Sequence, residues 1–137
     1  MPGEMLLVVR TFRRRYAVRR GDLLAVLPTD AGAAPQVEDT LGRGCVPVEL
    51  GPLLEPNDRG TARRQVALVV PLRRRLIALL VDAVESFHPV SLMAPLPEVL
   101  RARLRRPWAI GALPLDENLI VALDARALAL GIRTPAA

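Results

Sequence analysis

The sequence predicts an all-β protein, mainly strands with short helices, of the small β-barrel kind. Three signals of one type carry this expectation, each a pair of short apolar runs joined by a charged turn. In the central one, Gln65 to Leu72 meets Arg73-Arg74-Arg75 and then the apolar run Leu76 to Val81. That run ends on a lone acid, Asp82, and resumes as Ala83-Val84-Glu85. Near the C-terminus, Ile110 to Leu115 turns over Asp116-Glu117-Asn118 into Leu119 to Leu123. At the N-terminus, Met5 to Phe12 turns through Arg13-Arg14-Arg15 into Tyr16-Ala17-Val18.

The elements between these hairpins follow in order. Gly21 to Leu27 reads as either one helical turn or a strand, ended by Pro28. Residues 28–36 mix Pro, Gly, Asp and Ala without an apolar period and are expected to form a loop. Gly42-Arg43-Gly44 is a second flexible point, and Val46 to Leu50 a short strand. Pro47 has no N–H, so this strand belongs at a sheet edge or carries a bulge. Residues 55–62 read as a turn. Residues 97–105 should form a short helix, with Pro at its first position and arginines in its last turn. Residues 124–130 should form a C-terminal helix, capped by Asp124 and followed by Gly131.

With 137 residues, 51% of them hydrophobic, the chain is one compact unit or two very small ones sharing a core. Only Phe12, Tyr16, Phe87 and Trp108 are aromatic, so the core must be built from Leu, Val, Ala and Ile. All 19 basic residues are arginine, and 14 acids leave a net charge of +5. A GC-rich coding bias accounts for that choice, because the clusters Arg13 to Arg15, Arg73 to Arg75 and Arg101 to Arg106 are dispersed along the chain. The lone Cys45 excludes an internal disulfide and fits a reducing cytoplasm. Met-Pro-Gly-Glu is not the start of a secretory signal peptide. Val66 to Val84 approaches the length of a membrane span, but each of its three central arginines would cost roughly 2.5–3.5 kcal/mol there.

Catalytic groups do not converge. His88 is the only histidine, and it stands between Phe87 and Pro89 as a structural residue. Ser86 and Ser91 flank it without a third group to orient a nucleophile. Cys45 with His88 is not a metal-ligand set, so no metal or other cofactor is expected. Asp82 and Glu85, three apart on a strand, point to opposite faces unless a bulge intervenes. Asp82 reads best as a strand-end acid bonded to backbone or facing an arginine. What remains is recognition, through strand edges and small apolar grooves.

The order of these pieces resembles the CheW-like family, the coupling domain of bacterial chemosensory systems. The N-terminal pattern is met by Leu6 to Val18, including Tyr16-Ala17, and more loosely by Asp22 to Val26. The central Gly-Leu-Val-Val-Asp-x-Val pattern is similar to Ala78-Leu-Leu-Val-Asp82-Ala-Val84. The C-terminal pattern of glycine, hairpin and Leu-Asp is met by Gly111 to Leu128. Order and spacing over residues 5–131, rather than any one motif, carry the resemblance. The chain departs from it in one stretch. Where the family has Asn-x-Arg-Gly before its Pro-Val-x-Asp-Leu, alignment on Glu49-Leu50 puts Gly42 at the glycine and Leu41 at the arginine, whereas alignment on Arg43-Gly44 shortens the strand that follows. The loop from Leu27 to Gly42 is also shorter than the family norm.

The resemblance implies two small SH3-like five-stranded β-barrels packed together over a shared apolar core. It places the domain at residues 5–131, between tails 1–4 and 132–137. Barrel 1 would take about 14–65, and barrel 2 about 66–124 plus the N-terminal strand. It implies a cytoplasmic, non-catalytic adaptor that binds a CheA-type histidine kinase, a chemoreceptor tip, or both. Expected partner contacts are Gly42, Arg43 and Val48 near the first barrel, with Leu80, Asp82 and Glu85 on the inter-barrel side. Leu80 and Asp82 serve equally well as core and strand-end residues. The competing reading is an arginine-rich nucleic-acid-binding barrel, whose affinity would fall steeply with salt. The dispersed arginines and scarce aromatics weigh against it.

Overall fold

The computed structural model describes residues 4–28, 37–38, 44–55, 57–58, 66–98 and 108–132. Strands dominate these residues. They are β1 (Met5–Arg10), β2 (Arg15–Arg19), β3 (Ala25–Pro28), β4 (Val37–Glu38), β5 (Gly44–Glu49), β6 (Val66–Pro71), β7 (Leu76–Val81), β8 (Ala83–Pro89), β9 (Ala109–Leu115) and β10 (Asn118–Leu123). The helices are short: α1 (Leu50–Leu54), α2 (Ala125–Leu130) and 3-10 turns at Arg20–Asp22 and Val90–Leu92. The ambiguous segment after Arg19 is therefore both things, a 3-10 turn and then strand β3.

Two five-stranded sheets form, ordered β8-β1-β2-β10-β9 and β3-β6-β7-β5-β4. All three expected hairpins are present as antiparallel pairs: β1–β2, β6–β7 and β9–β10. Each sheet also contains one parallel pair, β2 with β10 and β5 with β7. The sheets divide the chain differently from the expected barrels at 14–65 and 66–124. β2 lies with β1 and β8–β10, while β6 and β7 lie with β3–β5. The chain enters the second sheet between β2 and β3 and returns to the first at Asp82, because β3 pairs with β6 and β8 with β1.

Strand alternation explains why β1, β6 and β7 read as nearly continuous apolar runs. Leu7 and Val9 of β1, Leu68 and Val70 of β6, and Ile77, Leu79 and Val81 of β7 face one another in a cluster shared by both sheets. Leu6 and Val8 point the other way and pack with Ala17, Leu113, Ile120 and Ala122 inside the first subdomain. Ala78 and Leu80 pack with Ala67 inside the second. Strands covered on both faces lose the polar half of the usual period-two pattern. β7 is buried at every residue for this reason.

Local signals act as expected at the C-terminus. Asp124 caps α2 by accepting a bond from the Ala127 N–H at 3.0 Å. Gly131 ends the helix at φ −78°, so it stops α2 without the left-handed turn that only glycine favours. The β9–β10 turn is tighter than expected, using only Asp116 (φ 48°) and Glu117 (φ 67°) before β10 starts at Asn118. Positive φ at both central residues gives the right-handed twist a two-residue hairpin needs. Pro47 is tolerated although β5 lies between β7 and β4. The β4 register reaches only Gly44 and Cys45, so it makes no demand on an N–H at Pro47. The expected loop after Pro28 lies outside the described residues, as does the expected helix at 97–105 apart from Pro97 and Glu98.

Candidate partner-binding site

The six expected contact residues are distributed rather than gathered. Gly42 and Arg43 lie outside the described residues. Val48 sits on β5 opposite Leu79 of β7, half-buried, with its side chain against the shared core. Leu80 is 4% exposed and points into the interior of the second subdomain, among Ala67, Ala78, Leu27 and Cys45. Its neighbours Leu79 and Val81 face the shared core, so alternation sends Leu80 the opposite way. It occupies the core position that the sequence left as its alternative role.

Asp82 and Glu85 mark the crossover between the sheets. Asp82 is the single residue between β7 and β8, and its backbone N–H donates to the Arg10 carbonyl at 2.8 Å. That bond holds the end of the second sheet against the first hairpin. Glu85 lies where the β1–β8 register shifts: Ser86 pairs with Val8 and Val84 with Val9, leaving Glu85 as the extra residue. A bulge of this kind re-aims its side chain. Glu85 is exposed and its carboxylate lies 3.4 Å from the Arg15 guanidinium. The same strand brings Ser86 Oγ within 2.8 Å of His88 Nε2, because residues two apart share a face. Among the described residues no carboxylate joins that pair, and no group of three His, Cys, Asp or Glu is placed to hold a metal ion.

The two described arginine turns are far apart. The Arg10–Arg15 turn adjoins the Asp82 end of β7, whereas Arg75 at the other end donates to the carbonyls of Ala129 (3.4 Å) and Ile132. The six residues of β7 separate them by about 17–20 Å. Arg14 and Arg15 are further engaged by Glu55 and Glu85. This arrangement offers no single basic face built from both turns.

One cluster was not legible in the sequence. Asp58, in the segment read simply as a turn, is 2% exposed, and Thr11 is 3% exposed. The Asp58 carboxylate accepts from the Thr11 hydroxyl and from the Arg13 N–H, the latter at 2.7 Å. Beside it Arg14 Nε donates to Glu55 at 2.9 Å, which holds the Glu55 carboxyl below its ordinary range. Tyr16 is half-buried nearby. Its phenol is pushed up to about 12, chiefly by burial and further by the negative charges of Asp58 and Glu55. An Asp in a Pro-Asn-Asp-Arg-Gly stretch has the look of any solvated turn, so no sequence signal marked it.

No protein-family model matches the chain. A segment of 67 residues, 47% of the chain, is 36% identical to a probable chemotaxis protein CheW from Rhizobium etli. The match spans 43% of that relative's length. Over 93% of the chain, the structure superposes on 88% of the crystal structure of the scaffolding protein TtCheW from Thermoanaerobacter tengcongensis, with a TM-score of 0.69 and 17% identity. The fold of this chain is that of a CheW-like domain, two SH3-like β subdomains packed over a shared core and followed by a short C-terminal helix.

Proposed function

We propose that this chain is a non-catalytic adaptor of bacterial chemosensory signalling, coupling a chemoreceptor to a CheA-type histidine kinase by protein–protein contacts. The observation that carries this reading is the two-subdomain architecture, which superposes over nearly the whole chain on a chemotaxis scaffolding protein. The local identity to a CheW protein supports it independently. The chemistry agrees, since strand edges and apolar surface are what a β scaffold offers a partner. We assign partner contact to Gly42, Arg43 and Val48, with Asp82 and Glu85 at the crossover. Val48 contributes through its exposed part, while Leu80 supports the second subdomain from its interior. The adaptor works in the cytoplasm, in keeping with the lone Cys45 and with a described chain in which no helix is long and apolar enough to cross a membrane.

The test is recovery of partners from native lysate on the immobilised protein, at about 0.15 M and then 0.5 M salt, after nuclease treatment. Salt-resistant capture of a histidine kinase or a chemoreceptor supports the adaptor, because apolar contacts outlast screening. Recovery of nucleic acid alone, lost at the higher salt, would overturn it in favour of polyanion binding. The double variant Arg43→Glu with Val48→Asp should fold normally and lose the kinase or receptor. Undiminished capture by that variant removes these residues from the contact.

A further inference from the structure

The polar contact between Thr11 and Asp58 joins two subdomains that otherwise meet through apolar side chains, the exposed Arg14–Glu55 pair and the Asp82–Arg10 backbone bond at the crossover. Thr11 and Arg13 lie in the β1–β2 turn of the first sheet, and Asp58 follows α1 on the connection from β5 to β6 of the second. The hydrogen bonds leave little freedom in how this site is occupied. The Thr11 carbonyl-side partner, Arg14 O, already receives the Thr11 N–H at 2.9 Å, and the hydroxyl oxygen accepts the Arg14 N–H at 3.2 Å. The hydroxyl proton has two acceptors within reach, the Arg14 carbonyl at 3.2 Å and the Asp58 carboxylate, and the charged carboxylate is the nearer and the stronger. The other carboxylate oxygen takes the Arg13 N–H. Asp58 is itself held from behind, its N–H donating to Glu55 O at 2.8 Å. Gly51 leaves it room: a Cβ there would lie 2.9 Å from the Asp58 carbonyl oxygen and 3.0 Å from its carboxylate.

We propose that the Asp58 carboxylate is the lock that sets the angle between the two subdomains, a positioning residue for any surface drawn from both. The shared core of Leu7, Val9, Leu68, Val70, Leu79 and Val81 attracts without direction, so it permits sliding and rotation. Hydrogen bonds to a carboxylate are short and directional, and here they fix one orientation. The exposed Arg14–Glu55 pair beside them adds little restraint. Removing the carboxylate takes the acceptor of the part-buried Arg13 N–H and leaves the Thr11 hydroxyl with its local Arg14 contacts alone, so these bonds across the seam are lost. Opening the seam at this end lets water reach both, whereas the interior of each subdomain has no such demand. The inference does not depend on which partner the protein binds.

The test measures the distance between spin labels at Arg74→Cys in the second subdomain and Leu119→Cys in the first, in a Cys45→Ala background of the full chain. Both label sites are exposed. The parent should give one narrow distance distribution. Asp58→Asn should broaden it or add a second population, and Gly51→Ala should do the same by displacing Asp58 sterically. If Asp58→Asn does not fold, Thr11→Val carries the same expectation, since it removes one donor and leaves the Arg13 bond. Thr11→Ser, which keeps the hydroxyl, should retain the parent distribution. A broad distribution in the parent overturns the proposal. So does a narrow, unshifted one in the folded variants, even if their melting temperature falls, because Asp58 would then contribute stability alone.

Discussion

Tyr16 illustrates how much one side chain's behaviour depends on neighbours remote in sequence. It is the only tyrosine, and the chain has no lysine, so the phenol stands almost alone among side chains titrating in the alkaline range. Burial, with Asp58 and Glu55 nearby, disfavours its charged form and raises it from its ordinary 10.0 to about 12. The folded state therefore holds this proton more tightly than the unfolded state does. The stability linked to it is fully present below pH 10 and is lost as pH rises through about 12. Phenolate absorbance of the folded protein should report a midpoint well above 10, and Tyr16→Phe should flatten the fall in stability across that window. A midpoint near 10 would contradict the burial seen here. The residue's identity was plain in the sequence, but Asp58 lies 42 positions away and no spacing rule connects them.

Among the elements, α2 is the one whose boundaries were set almost wholly by local chemistry. Asp124 satisfies the Ala127 N–H, one of the donors that a helix start leaves open. Its carboxylate also lies 3.7 Å from the Arg19 guanidinium, a half-exposed contact of small value. Asp124→Ala should cost about 1 kcal/mol, and Asp124→Asn should recover most of it, because the amide oxygen caps as well as a carboxylate does. Denaturant midpoints at unchanged slope would show this. Equal losses in the two variants would assign the effect to the charge instead. α2 matters beyond its length, since Leu128 and Ala129 complete the shared core and the Ala129 and Ile132 carbonyls receive Arg75. The hairpins were similarly readable, because apolar runs broken by charged turns leave few other ways to pair.

At the scale of the molecule, the cluster shared between the sheets is more extensive than either subdomain's own described core. Neither sheet can then unfold without exposing the other's inner face. Thermal and denaturant unfolding should follow one cooperative transition for both subdomains. Leu79→Ala, which opens the shared cluster at a fully buried position, should cost about 2–5 kcal/mol and lower that one transition as a whole. Two separate transitions, with only that of the second sheet displaced, would show that the subdomains fold independently. The chain passes directly from one sheet to the other at Asp82.

The sequence by itself determined the all-β class, the three hairpins, the C-terminal helix and its cap. Each of these depends on residues close together in the chain: an apolar period, a turn, an N-cap. It also carried the resemblance to a CheW-like domain, because strand order and spacing persist where single residues have changed. Only the tertiary structure decided which strands share a sheet, with the chain passing between the sheets after β2 and again at Asp82. It alone sent Leu80 inward, bulged Glu85 outward and buried Asp58 against Thr11. The physical reason is the same in each case. Strands such as β1 and β7 are covered on both faces, so their composition no longer says which neighbour lies on which side. The pairing partner, distant in sequence, makes that choice.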